Sequence, residues 1–168
     1  GILSKGTFHS VKRADLIGGY LGQTAIKTKK VLDKAKGGVL FIDEAYSLGN
    51  KEGKDTYSKE CIDTLTAFLS EEKEDCVVII AGYKNDLQKC FFNYNSGLER
   101  RFTFKYNIDG YSPDELMEIF LVKSKLTNWE CNIDKNKLFE FFKKYKLPYF
   151  AGDIDRLIFQ SQLIASLR

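Results

Sequence analysis

GGVLFIDEAYSL, residues 37–48, runs four apolar residues, Val39 to Ile42, straight into two adjacent carboxylates, Asp43 and Glu44. A wholly apolar run of strand length reads as a strand buried on both faces, the pattern of central strands in a parallel sheet covered by helices. Ligands of open parallel sheets bind beyond the carboxyl ends of the strands. Paired carboxylates at that end are therefore placed for chemistry, although an apolar run ending in acid also arises wherever a strand simply leaves a core for solvent.

Upstream, Thr7 to Val11 alternates as a short strand, and a loop carrying Gly18, Gly19 and Gly22 follows. From Thr24 to Lys36, Ala25, Thr28, Val31, Leu32 and Ala35 share one face at helical spacing, and Gly37-Gly38 stops the helix. Downstream, LGNKEGKDTYSKE is polar and reads as an exposed loop. Cys61, Ile62, Leu65, Phe68 and Leu69 then define a second amphipathic helix, and CVVIIAGY, Cys76 to Tyr83, repeats the buried-strand pattern. Two such strands, each preceded by a helix, predict an α/β layered fold.

Phe102, Phe104 and Tyr106 alternate as in a last strand. Beyond them the pattern turns helical. Ser112 as N-cap, Pro113 at the first helical position and Glu115 three residues after the cap form a capping box. Helical spacing recurs in DKNKLFEFFKKY and GDIDRLIFQSQLIASL, so the tail is expected to be a small all-helical bundle. The expected boundary gives an α/β part at 1–108 and a helical part at 109–168.

Composition excludes several classes. The 26 basic and 23 acidic side chains nearly balance, which offers no compositional case for nucleic acid. Cys61, Cys76, Cys90 and Cys131 are widely spaced with no C-x-x-C pair, so neither a zinc site nor a disulfide framework is expected. No apolar run approaches the ~20 residues that span a bilayer, and a reducing, cytoplasmic setting is the expectation. Arginine is rare: Arg13, Arg100, Arg101, Arg156 and Arg168 are the whole set, and two of them are adjacent.

Four apolar residues followed by Asp-Glu has the form of a Walker B motif, with Asp43 on Mg²⁺ and Glu44 orienting the water that attacks a γ-phosphate. Two carboxylates are needed because the metal occupies one. The segment GTFHSVKRADLIGGYLGQTAIKTKKVLDKAKGGVLFIDEAYSL resembles the AAA+ ATPases, in the branch that contains the red-type rubisco activase CbbX and stage V sporulation protein K. The resemblance covers the chain from about Gly6 through the expected last strand and weakens in the helical tail.

That resemblance implies a P-loop NTPase α/β subdomain followed by a helical lid, with ATP and Mg²⁺ as ligands. It implies a homo-oligomeric ring, a hexamer, that remodels or threads a protein substrate. Tyr20, Leu21 and Gly22 match the aromatic-aliphatic-Gly pore loop, whose aromatic packs on extended peptide without reading its sequence. SGLERRFTF resembles the segment of the arginine finger; Arg101, before Phe102, is the better match and Arg100 a second. A finger from the neighbouring subunit is worth ~10³ or more in rate. The strand end at CVVIIAGYKND implies a polar sensor, Tyr83 or Asn85. AGDIDRL places Asp155 where the family's second sensor arginine falls, with Arg156 one residue, about 100° of helix turn, away.

A P-loop, G-x-x-x-x-G-K-[ST], is absent from the sequence. In the family it lies upstream of the matching segment. The expectation is that the chain is the C-terminal part of a longer ATPase and that alone it does not hydrolyse ATP. The alternative is an AAA-like module that binds partners or caps a ring without turnover.

Overall fold

A computed structural model of the chain describes residues 1, 3–20, 22–50, 52, 54–71, 75–95, 97–127, 129 and 132–167. The chain divides into two compact units, Gly1–Lys105 and Tyr106–Arg168.

In the first unit three parallel strands, β1 (Phe8–Val11), β2 (Val39–Ile42) and β3 (Val77–Ile80), lie side by side in chain order. Phe8 pairs with Val39 and Val39 with Val77; at the other end Val11, Ile42 and Ile80 align. Helices α1 (Arg13–Leu16) and α2 (Gln23–Ala35) cross from β1 to β2, and α3 (Thr56–Glu71) crosses from β2 to β3. Both crossovers step the same way across the sheet, and right-handed connections then put both on one face. There α2 packs on α3. Leu32 and Ala35 of α2 and Cys61, Ile62 and Leu65 of α3 close over Leu40 and Ile42, which have 0% of their surface exposed.

The helices follow the apolar periodicity within a residue or two at each end. On α2, the buried stripe contains Thr24 in place of Ala25, beside the expected Thr28. Each threonine hydroxyl is satisfied locally: Thr24 Oγ1 accepts from the Gly18 amide at 3.0 Å, and Thr28 Oγ1 donates to the Leu16 carbonyl at 3.0 Å. Those bonds remove the penalty of burying a polar group and pin the loop before α2 to the helix.

Two expectations are corrected. The apolar run at β3 is covered on one face only, since Val77 and Ile79 remain 41% and 44% exposed. Residues 102–106 form no strand. Phe102 tucks into the first unit's core, while Phe104, Tyr106 and Ile108 are exposed, Ile108 to 95%. A strand exists by hydrogen bonding to a neighbour, and the segment pairs with none of the three strands. Alternation encodes a face to be buried without supplying the partner.

After β3 the chain forms a short α4 (Lys84–Asp86) that runs into a π-helical turn, Leu87–Phe91, followed by 3₁₀ turns at Phe92–Tyr94 and Glu99–Arg101. Phe91 and Leu98 anchor this irregular stretch with fully buried side chains.

The second unit is a three-helix bundle of α5 (Pro113–Leu126), α6 (Lys135–Lys144) and α7 (Ala151–Ser166) around Leu116, Phe120, Leu138, Phe142, Ile154 and Ile158. The expected capping box forms: the Glu115 amide donates to Ser112 Oγ at 3.3 Å, and the Ser112 amide donates to Glu115 Oε2 at 2.7 Å. These bonds hold the Glu115 carboxyl below its usual range. No helix among the described residues is long and apolar enough to cross a membrane. Cys61 and Cys90 are free thiols, and burial pushes Cys61 up to about 11.

Candidate functional site

Asp43 and Glu44 emerge at the carboxyl end of β2, the middle strand, with β1 and β3 on either side. The Asp43 amide donates to the Val11 carbonyl of β1 at 3.1 Å, and the Ala45 amide donates to the Ala81 carbonyl after β3 at 2.9 Å. The strand ladder therefore continues on both sides of the acidic pair and fixes where the chain turns. That turn is made by Glu44 itself, at φ 50° and ψ 43°. A non-glycine residue in the left-handed region is uncommon and costs of order 1 kcal/mol. Here Asp43 Oδ1 accepts the Glu44 amide at 3.0 Å and offsets part of that strain. The backbone reversal leaves Asp43 half-buried and Glu44 exposed.

The donor chemistry fits Mg²⁺ of the kind held by one or two carboxylates, water and substrate phosphate, a hard-oxygen set. Among the described residues no cluster of three or more His, Cys, Asp or Glu side chains could hold a metal without such help.

Behind the pair, Arg13 at the start of α1 acts as a brace. Its Nη1 donates to the Ser47 carbonyl at 2.5 Å and to Ser58 Oγ at 3.1 Å, and its Nη2 to Asp55 Oδ2 at 2.9 Å. The Ser58 hydroxyl, which also donates to Asp55 Oδ2, and the Arg13 guanidinium hold the Asp55 carboxyl below its ordinary value. One arginine thus ties the turn after Glu44, Ala45–Leu48, to the first turn of α3. Its rarity in the sequence was the only signal of this role.

Of the expected sensor residues, Tyr83 caps α4 close to the pair: its ring lies 6.1 Å from that of Tyr46, two residues past Glu44. Asn85 is exposed on α4.

The adjacent arginines lie elsewhere. Arg101 donates from Nε and Nη2 to Ser70 Oγ at 3.0 and 2.6 Å, and from Nη1 to the Gly97 carbonyl at 2.7 Å. Ser70 is in the last turn of α3 and Ser58, in the brace, in its first. Twelve residues of helix separate them by about 18 Å, so Arg101 sits at the end of α3 opposite the carboxylates. Arg100 is exposed and makes no hydrogen bond or ion pair within the described residues.

Tyr20 stands 74% exposed at the tip of the loop before α2, with its carbonyl accepting from the Gln23 amide at 3.2 Å. Gly22 caps α2 at φ 78°, a conformation that glycine adopts without strain. Leu21 lies outside the described residues. In the second unit Arg156 is exposed on α7, and its neighbour Asp155 is paired with Lys123 Nζ at 2.5 Å.

Comparison with known proteins identifies the family. The family model described as ATPase family associated with various cellular activities (AAA) matches residues 3–109. A putative cfxQ-like protein of Acanthamoeba polyphaga mimivirus is 42% identical over all of this chain and 42% of its own length. The chloroplastic ribulose bisphosphate carboxylase/oxygenase activase of Cyanidioschyzon merolae is 37% identical over 90% of this chain and 52% of its own. A chloroplastic cbbX homolog of Guillardia theta is 40% identical over 83% of this chain and 38% of its own. The chain spans about half the length of these curated relatives or somewhat less. A parallel sheet with an Asp-Glu pair at the end of its middle strand, a family match over most of the chain and relatives that align along nearly all of it lead to one assignment: this chain belongs to the AAA family of ATPases.

Proposed function

We propose that this chain is part of a ring-forming AAA+ ATPase that uses Mg-ATP to remodel or thread a protein substrate. The observation that carries the reading is the acidic pair at the carboxyl end of β2, with Glu44 turned out of the strand by its left-handed backbone. Asp43 would hold the Mg²⁺, which supplies charge neutralisation on the phosphates. Glu44 would orient the attacking water and accept its proton. Tyr83 or Asn85 would report on the γ-phosphate.

The position of Arg101 supports a finger given to a neighbour. At the end of α3 away from Glu44, it is out of reach of its own chain's carboxylates and set to serve another's, with Arg100 as the second cation. This is the logic of a ring, and we take six subunits as its size. Tyr20, Leu21 and Gly22 would line the channel and grip extended polypeptide, a role supported by the exposure of Tyr20. The name of the Cyanidioschyzon merolae relative, an activase of ribulose bisphosphate carboxylase/oxygenase, supports a protein as substrate. The setting is proposed to be cytoplasmic, although relatives include chloroplastic proteins.

A mixed-ring experiment tests the reading in the full-length protein. Glu44→Gln subunits and Arg101→Ala subunits should each be inactive alone. Mixed, they should regain part of the ATP turnover, because some interfaces join an intact Glu44 to an intact neighbouring arginine. Two dead variants that stay dead when mixed would rule out a finger given in trans.

A further inference from the structure

We infer that Tyr46 is a positioning residue for Glu44, holding its carboxylate by a hydrogen bond that the end of β3 makes possible. The Tyr46 hydroxyl donates to Glu44 Oε1 at 3.1 Å. Only Oε1 is engaged, and Oε2 accepts nothing among the described residues, so it is left to face a water. The inference rests on Glu44 being the carboxylate that orients the attacking water.

Three features aim the hydroxyl. Glu44's left-handed turn folds its side chain back over the Ala45–Leu48 turn that carries Tyr46, so residues two apart meet. Gly82, just past β3, provides the seat for the ring: a Cβ there would lie 2.7 Å from Tyr46 Cδ1 and 3.2 Å from Cε1, closer than the ring could tolerate in place. The Tyr83 ring lies beside it, 6.1 Å away and tilted by 36°. The tyrosine therefore joins the end of β3 to the carboxylate at the end of β2. A shift of the residues at 82–83 would reach Glu44 through a rigid aromatic ring.

Burial, the hydrogen bond to Glu44 and the charges of Glu44, Tyr83 and Asp86 all raise the Tyr46 phenol above its ordinary value. The phenol keeps its proton and stays a donor. A donor on Oε1 restrains the carboxylate's rotation, which matters because the attacking water must be held to a fraction of an ångström.

The test uses ¹³Cζ-labelled tyrosine in the full chain, read by NMR at neutral pH with no nucleotide present. Tyr46→Phe identifies the Tyr46 signal among the nine tyrosines. Glu44→Gln, which keeps the shape and removes the charge, should move that signal, and Gly82→Ala should move it too by displacing the ring. A Tyr46 signal indifferent to Glu44→Gln overturns the inference. In the full-length protein, Tyr46→Phe should lower kcat by about tenfold while the ATP KM stays within about twofold. An unchanged kcat also overturns it. If the unaltered protein shows no turnover at all, the ATPase reading fails by itself, and the nucleotide-free tyrosine signal still decides whether Tyr46 holds Glu44.

Discussion

The two faces of the sheet have nearly the same composition and opposite fates. On one, Leu40, Ile42 and Val11 are sealed beneath α2 and α3. On the other, Phe8, Val77 and Ile79 are in register with Val39 and Phe41 and lie open, with Phe8 and Phe41 stacked on each other at 6.0 Å. Contiguous exposed apolar area of this kind marks a surface that something is meant to cover. The contrast teaches that an apolar strand pattern records the burial a position is built for. Which helix, strand or partner provides that burial is a separate matter of topology.

The comparison can be broken by truncating each face in turn. Leu40→Ala on the covered face should cost about 2–5 kcal/mol, because a closed core cannot refill the cavity. Ile79→Ala on the open face should cost under about 1 kcal/mol, as water already reaches the side chain. Urea unfolding measures both, and equal losses would mean that the open face is covered in solution.

The brace beside the covered face comes next. Arg13→Ala should cost about 1–3 kcal/mol, since it leaves the buried Ser58 and the Ser47 carbonyl short of a partner. The same network has a pH signature. The Asp55 carboxyl is held below its ordinary value of 3.8, chiefly by Ser58. A lowered folded-state value means that its stabilisation is present above about pH 3.8 and is lost as pH falls through the lower folded value. The gap in Tm between the unaltered chain and Asp55→Asn should hold steady from pH 6 to 5 and close in more acidic buffer. A gap that widened on acidification would contradict the assignment.

Smaller effects sharpen the picture. Ser112→Ala removes one half of the α5 capping box and should cost about 1 kcal/mol, read as loss of amide protection in the second unit alone. Phe8→Ser on the open face should change stability by no more than about 0.5 kcal/mol. It should nevertheless reduce self-association in sedimentation, the outcome expected of an open face that is sticky rather than structural.

Local features were legible from the residues. The α3 stripe, the α5 cap and the position of Asp43 and Glu44 at a strand end each depend on neighbours within a few positions. The segment 102–106 misled for the converse reason: its alternation is genuine, but no strand edge meets it. Arg13 shows the limit at the site, because its partners Ser47, Asp55 and Ser58 are 34 to 45 positions away. Tyr46 was visible inside the DEAYSL stretch, yet nothing in its spacing indicated a bond to Glu44.

Residue order alone therefore established an α/β layer followed by a helical bundle, the acidic pair at the end of an apolar strand, and a kinship with AAA+ ATPases. Those properties follow from periodicity, capping and short motifs, which act along the chain. Tertiary structure alone decided that β3 has an open face, that Arg101 and Glu44 stand at opposite ends of α3, and that Tyr46 grips Glu44. Each of these depends on a backbone dihedral or a packing distance between segments remote in sequence, and neither quantity is written in any local pattern.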